Sequence, residues 1–168
     1  MTVRGKNLVF NGYFGIEAAD VEFPMGWVKI FDHPAVTLEW STDLAVVGQH
    51  TVKVRNVNYC DGLAGIVQDH RYSIEVEPGA AWELAAWMRT ERAGVPLRLI
   101  AVFMKSNWEY HSESHLKFVS TTEMRRYSGI IYAPEGAAWL KIACGVHDNP
   151  ETLPSNLWIS WVTLRKIS

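Results

Sequence analysis

Cysteine is scarce in this chain: Cys60 and Cys144 are the only two in 168 residues. Two distant thiols make neither a disulfide framework nor a zinc site by themselves. Cys144 closes the apolar run 139–144 and reads as a small buried hydrophobe. An excess of one charge is lacking too, with 16 Lys and Arg against 18 Asp and Glu and a formal net charge of −2. The basic residues are scattered, Arg125-Arg126 being the longest cluster, so neither a nucleic-acid partner nor a polybasic membrane contact is expected. No apolar stretch approaches the ~20 residues of a membrane-spanning helix. Residues 1–6 carry no apolar run of signal-peptide type, which predicts a soluble chain without a cleavable secretory signal. That leaves open a cytoplasmic protein, one exported by another route, and a piece of something larger.

Helical periodicity is missing as well, and so are the usual catalytic motifs. There is no nucleophile elbow, phosphate loop, dinucleotide fingerprint or HExxH helix. A glycosidase needs two carboxylates facing each other across a cleft, and nothing in the pattern pairs any two of Asp61, Glu83, Glu109, Glu113 and Asp148. No catalytic residue is assigned, and the expectation is a protein that is not an enzyme. His111-Ser-Glu-Ser-His115 places two imidazoles and a carboxylate close in sequence. That spacing in a loop builds no ligand cage, so surface histidines and no catalytic metal are expected.

What the chain does have is short apolar segments separated by Pro, Gly and Asn turns. Residues 71–77 alternate, with Tyr72, Ile74 and Val76 on one side. Pro78-Gly79 turns the chain into a segment that puts Trp82, Leu84, Ala86 and Met88 on one face and Glu83, Trp87 and Arg89 on the other. Residues 97–104 are apolar almost throughout, as in a central strand, and 107–114 read as a polar loop. Further strands are expected at 7–10, 27–31, 36–40, 50–55, 63–69, 115–120, 125–133, 137–146 and 157–165. Regular spacing of this kind predicts one all-β domain spanning 1–168, an antiparallel β-sandwich of about ten strands. Its core is expected to contain Leu99, Ala101, Phe103, Leu140, Ile142, Val162 and Leu164.

The chain also has eight tryptophans, six tyrosines and six phenylalanines, more rings than a sandwich core of this size uses. Trp27, Trp82, Trp158 and Trp161 fall inside strand patterns and are expected in the core. Trp40, at a strand end, fits either a core or a surface position. The others are binding candidates. Trp87, flanked by Glu83 and Arg89, would offer a flat apolar plane beside polar groups; the alternative is a ring covered by a loop, with Arg89 merely paired to Glu83. Tyr59 lies in a polar loop with Asn58 and Asp61, and Trp108 and Tyr110 share a loop tip with His111. Trp139 and Lys141 point outward from their strand and would line the same surface as Trp87 if the two strands share a sheet.

The order of several segments resembles the jelly-roll carbohydrate-binding modules attached to xylanases and cellulases. Asn7-Leu-Val-Phe-Asn-Gly-Tyr-Phe14 with Gly26-Trp27 is similar to their opening NLVxNGxFE and GW. Gly48-Gln-His-Thr-Val-Lys-Val54 and Gly65-Ile-Val-Gln68 resemble SGxxSLxV and GxxQ. Glu77-Pro-Gly79 with residues 82–90 resembles PGxxYxLSxWVKT, residues 126–134 resemble WxxYSxxFTAP, and Trp158-Ile-Ser-Trp-Val-Thr-Leu164 resembles WFDDVxL. The resemblance implies a jelly roll and non-catalytic binding of a polysaccharide or glycan. It places sugar contacts at Tyr59, at Trp87 with Glu83 and Arg89, and at Trp139 with Lys141.

It also implies a structural calcium, but Gly15, Ser160 and Trp161 stand where the family carries acids, so that site is expected to be weak or empty. A carbohydrate is the expected partner, with no cofactor; the location is left open, extracellular or surface-associated if the chain is such a module. The alternative from another class is a structural module of a virion, tail or cell-surface assembly, using the same sandwich for protein contacts or homo-oligomerisation.

Overall fold

A computed structural model of the chain describes residues 5–19, 23–30, 34–48, 50–56, 62–147 and 155–167. Among the described residues, eleven strands form two antiparallel sheets. The strands are β1 (Trp27–Lys29), β2 (Val36–Ser41), β3 (Thr51–Asn56), β4 (Leu63–Gln68), β5 (Ile74–Glu75), β6 (Ala81–Thr90), β7 (Pro96–Met104), β8 (Tyr110–Val119), β9 (Arg125–Tyr132), β10 (Trp139–His147) and β11 (Leu157–Lys166). The six-stranded sheet runs β1-β4-β10-β7-β8, with β5 pairing β10, and the five-stranded sheet runs β2-β3-β11-β6-β9. The all-β jelly-roll sandwich expected from the sequence is what the chain forms.

Period-two alternation decides what lies between the sheets. From β6 the inward residues are Trp82, Leu84, Ala86 and Met88; facing them from β7 and β10 are Leu97, Leu99, Phe103, Leu140 and Ile142, none more than 3% exposed. All seven expected core residues are buried. Each large aliphatic or aromatic side chain removed from water here contributes about 1.5–3 kcal/mol before entropy is counted. Cys144 belongs to this core, and burial pushes its thiol pKa up.

Three expectations about elements need correction. Residues 7–10 form no strand. Asn7 holds the segment by side chain instead, its Oδ1 accepting from Leu164 N and its Nδ2 donating to Val162 O. Gly12 approaches β11 so closely that an added Cβ would lie 2.2 Å from Val162 O. Residues 71–77 open with a 3-10 turn, His70–Tyr72, capped by the Asp69 side chain, and only Ile74–Glu75 pairs as strand. The loop expected at 107–114 is shorter, because β8 begins at Tyr110 and reaches register with Met104 through a bulge. There the pairing of β7 with β8 outweighs the polar composition.

Candidate functional site

The outward face of β6 carries Glu83, Trp87 and Arg89, each half-buried. Register fixes their neighbours: Trp161 of β11 stands opposite Trp87 on one side and Arg126 of β9 on the other. One row along, Thr163, Ala85 and Ser128 align across the three strands, and beyond them come Arg165, Glu83 and Ile130. The row of small side chains between two rows of long ones leaves a hollow of about 210 Å³, lined by Trp87, Arg126, Trp161, Thr163 and Arg165. Indole faces and guanidinium donors therefore meet at one place on the sheet.

The outward placement of Trp161 depends on a bulge. Register shifts between Ile159 and Trp161, so Ser160 is the extra residue, fully buried, its Oγ accepting from Val46 N at 2.6 Å. Beyond the bulge the strand has changed phase. Trp158 and Trp161, expected in the core, both stand half-exposed on the outer face; Trp27 and Trp82 are core as expected, each 3% exposed. Trp40 packs against the core and donates its indole N–H to Phe14 O.

Charge on this face does not follow the alternative in which Arg89 merely pairs with Glu83. Glu83 pairs with Arg126 of the neighbouring strand rather than with Arg89. Arg89 lies over the Trp158 ring, 4.9 Å from its centroid, and Lys53 Nζ lies over the same ring at 4.9 Å. Arg165 sits 5.9 Å from the Trp161 centroid, and Arg55 pairs with Glu39 at 2.8 Å.

Trp139 and Lys141 do not share the Trp87 surface. They belong to β10 in the six-stranded sheet, whose outer side points the other way. Trp108 stacks on Trp139 with centroids 4.5 Å apart and planes at 14°, and Tyr110 pairs with Met104 beside them. Trp108 and Tyr110 are 47% and 60% exposed, so they form a second aromatic surface, not a second wall of the Trp87 hollow. Tyr59, Asn58, Asp61 and Cys60 lie outside the described residues. His115 pairs with Glu113 at 2.7 Å, while His111 Nε2 meets Glu135 O. Among the described residues no three His, Cys, Asp or Glu side chains gather as a metal would need.

The residues at the family's calcium positions do not fit that ion. A hard cation draws on carboxylates, and Gly15, Ser160 and Trp161 bring none; nearby, Phe14 O accepts the Trp40 indole N–H at 2.8 Å, and Asn11 Nδ2 donates to the carbonyls of Ile16 and Met25. Asn11 O takes the Trp27 indole N–H, and the Ser160 hydroxyl is occupied by Val46 N. Indole and amide donors hold this segment together.

A larger hollow, about 380 Å³, lies beside Pro24, Gly26, Trp27, Asp69, Arg71 and Tyr72. Its carboxylate is already engaged. Hydrogen bonds from the Arg71 side chain and backbone N–H bring the Asp69 pKa down from 3.8 to about 2, and Tyr72 is stacked on Phe10 at 4.3 Å. The smaller hollow brings two half-buried indoles, Trp87 and Trp161, beside Arg165.

No protein-family model and no curated protein matches the sequence. Solved structures match in shape. The enzymatically active domain of tailspike protein 4 of bacteriophage CBA120 superposes with a TM-score of 0.70 at 17% identity, over 96% of this chain and 21% of that one. An arabinose-bound GH51 α-L-arabinofuranosidase gives 0.68 at 11% identity, over 95% of this chain and 26% of that one. The CBM22-1 xylan-binding domain of Paenibacillus barcinonensis Xyn10C gives 0.64 at 12% identity, over 100% of this chain and 99% of that one. The chain has the β-sandwich fold of carbohydrate-binding modules. It spans about a fifth to a quarter of the two longer proteins but the whole length of the module. At these identities the carbohydrate-binding-module fold is shared, and the chemistry must come from this chain's own residues.

Proposed function

We propose that the chain is one carbohydrate-binding module, which binds a polysaccharide or glycan without catalysis on the outer face of the five-stranded sheet. The observation that carries this is the Trp87–Trp161 pair beside Arg126, Thr163 and Arg165 around one hollow. A pyranose presents a C–H face that packs on an indole, while its equatorial hydroxyls accept from guanidinium N–H groups at the rim. The binding is weak, since a shallow polar ligand retains little free energy after ordering and desolvation. The shared fold of modules whose ligands are sugars adds support. No step of this reading needs a metal.

The test is titration against a panel of soluble polysaccharides, followed by tryptophan fluorescence and calorimetry. Trp87→Ala should lose most of the binding and Trp139→Ala should keep it. Binding at full strength in Trp87→Ala would overturn the reading, and loss in Trp139→Ala alone would transfer the site to the other sheet.

A second reading, a protein-assembly module, is favoured by one observation. The edge strands β8 and β9 expose Tyr110, Val119 and Tyr132 at 60%, 65% and 56%, and exposed apolar edges are natural templates for another chain. Sedimentation across a concentration series separates this reading from the first.

A further inference from the structure

The cations on the Trp87 face outnumber the carboxylates there, and we infer that the sugar bound is anionic, a polysaccharide bearing carboxylate or sulfate groups, held by Arg89, Arg165 and Lys53. This rests on the proposed binding face and specifies its ligand. The whole chain is slightly acidic, with a net charge of −2, so a local cationic excess is not background. Both carboxylates on the face are taken, Glu39 by Arg55 and Glu83 by Arg126. Among the described residues Arg89, Arg165 and Lys53 have no carboxylate within ion-pair distance.

Two of these cations also carry a buried polar atom without a partner, Nε of Arg89 and Nε of Arg165. A guanidinium laid on an indole gives up water and recovers part of the cost from the ring. Its remaining N–H groups then favour an acceptor that is itself charged, because charge-assisted hydrogen bonds are about twice as strong as neutral ones. The three cations are spread along the indoles: Lys53 and Arg89 lie over Trp158, each 4.9 Å from the centroid, and Arg165 lies near Trp161. A chain whose rings stack on the tryptophans would bring its acidic substituents to these positions. A neutral glycan would offer these three cations no charged acceptor. A nucleic acid, the other polyanion, would be expected to call for a denser and more continuous basic track than three cations set among indoles.

The experiment compares matched probes on the intact chain. These are polygalacturonate against its methyl-esterified form, dextran sulfate against dextran, and single-stranded homopolymeric DNA, each at low and high salt. The anionic member of a sugar pair should bind at least about tenfold more tightly, and the preference should shrink as salt rises. Preference in the first pair alone assigns carboxylate, and in the second alone sulfate. Arg89→Gln, Arg165→Gln and Lys53→Gln should each weaken the anionic member more than the neutral one and so reduce the preference, and Arg165→Gln, at the hollow itself, should also weaken the neutral member. Lys117→Gln, on the opposite sheet, should alter neither. Equal binding of charged and neutral members, abolished by Trp87→Ala, would overturn this inference and leave the binding face standing. Failure of every sugar would overturn both, and DNA binding as tight as the best sugar would show a general polyanion site and overturn the inference.

Discussion

Trp161 and Trp87 are direct cross-strand partners on the outer face of the five-stranded sheet, brought level by the bulge at Ser160. Because both line the same hollow, truncating either should cost about 1–2 kcal/mol of ligand binding, roughly tenfold in affinity. The double variant should lose less than the sum of the two, since neighbours sharing a ligand are coupled. Calorimetric titration of Trp87→Ala, Trp161→Ala and the pair gives the coupling directly. Strict additivity would place the two rings in separate contacts.

Part of this face was legible in the sequence. Alternation across 82–90 turns Trp87 outward with Glu83 and Arg89, and that is where they stand. The same reasoning failed at Trp158 and Trp161, although a signal was present. Leu157 and Ile159 are buried at odd positions, Val162 and Leu164 at even ones, and a period of two cannot serve both sets without an inserted residue. Allowing for that residue turns both tryptophans out. Sheet membership was not legible. Trp139 and Lys141 do point outward, but the long-range pairing that puts β10 in the other sheet leaves no local trace. The order of family-like segments carried the fold, because strand lengths and turns are local. At the family's calcium positions the sequence showed only that Gly15, Ser160 and Trp161 are not acids.

Trp108 adopts φ +69°, in the left-handed region, within the short turn between β7 and β8. A side chain there costs about 1 kcal/mol relative to glycine, and the stack on Trp139 offsets the cost. Trp108→Gly and Trp108→Ala both lose the stack, but only glycine relieves the backbone. Thermal or denaturant unfolding should therefore find Trp108→Gly more stable than Trp108→Ala by about 1 kcal/mol. Equal stabilities would mean that the turn relaxes without strain.

Gly65 and Gly145 face each other where β4 meets β10, and an added Cβ on Gly65 would fall 2.0 Å from Cys144 O. Backbone cannot yield as a flexible side chain does. Gly65→Ala should therefore cost about 2 kcal/mol or more, lowering Tm by about 5 °C or more. A scan of the purified variant beside the wild type checks this.

The loop of Asn11 and Phe14 is fastened by N–H donors, and Ser160 of β11 accepts from Val46 N. Chelation should therefore leave the protein unchanged, with Tm in excess EDTA equal to Tm in excess calcium. Ligand binding would stabilise a site that took the ion, by RT ln(1 + [L]/Kd). A calcium-dependent rise in Tm would place an ion in the protein after all. Asn11→Ala should instead be severe, since it leaves the Ile16 and Met25 carbonyls without their donor and removes the acceptor for Ile16 N.

Asp69 gives a pH dependence whose sign can be worked out. Its folded pKa lies at about 2, below the ordinary 3.8, chiefly through the Arg71 side-chain hydrogen bond and then the Arg71 backbone N–H. A depressed carboxylate contributes its full stabilisation above about pH 4, and the contribution disappears as pH falls through 2. Arg71 is 71% exposed, so solvent screening holds the gain to about 1 kcal/mol or less. Asp69→Asn keeps an oxygen to cap the 3-10 turn and removes only the charge. Urea unfolding at pH 6 should therefore show the variant less stable by up to about 1 kcal/mol, and the gap should close as pH is lowered to 2. A gap that persists at pH 2 would mean that the cap, not the ionised carboxylate, supplies the stabilisation.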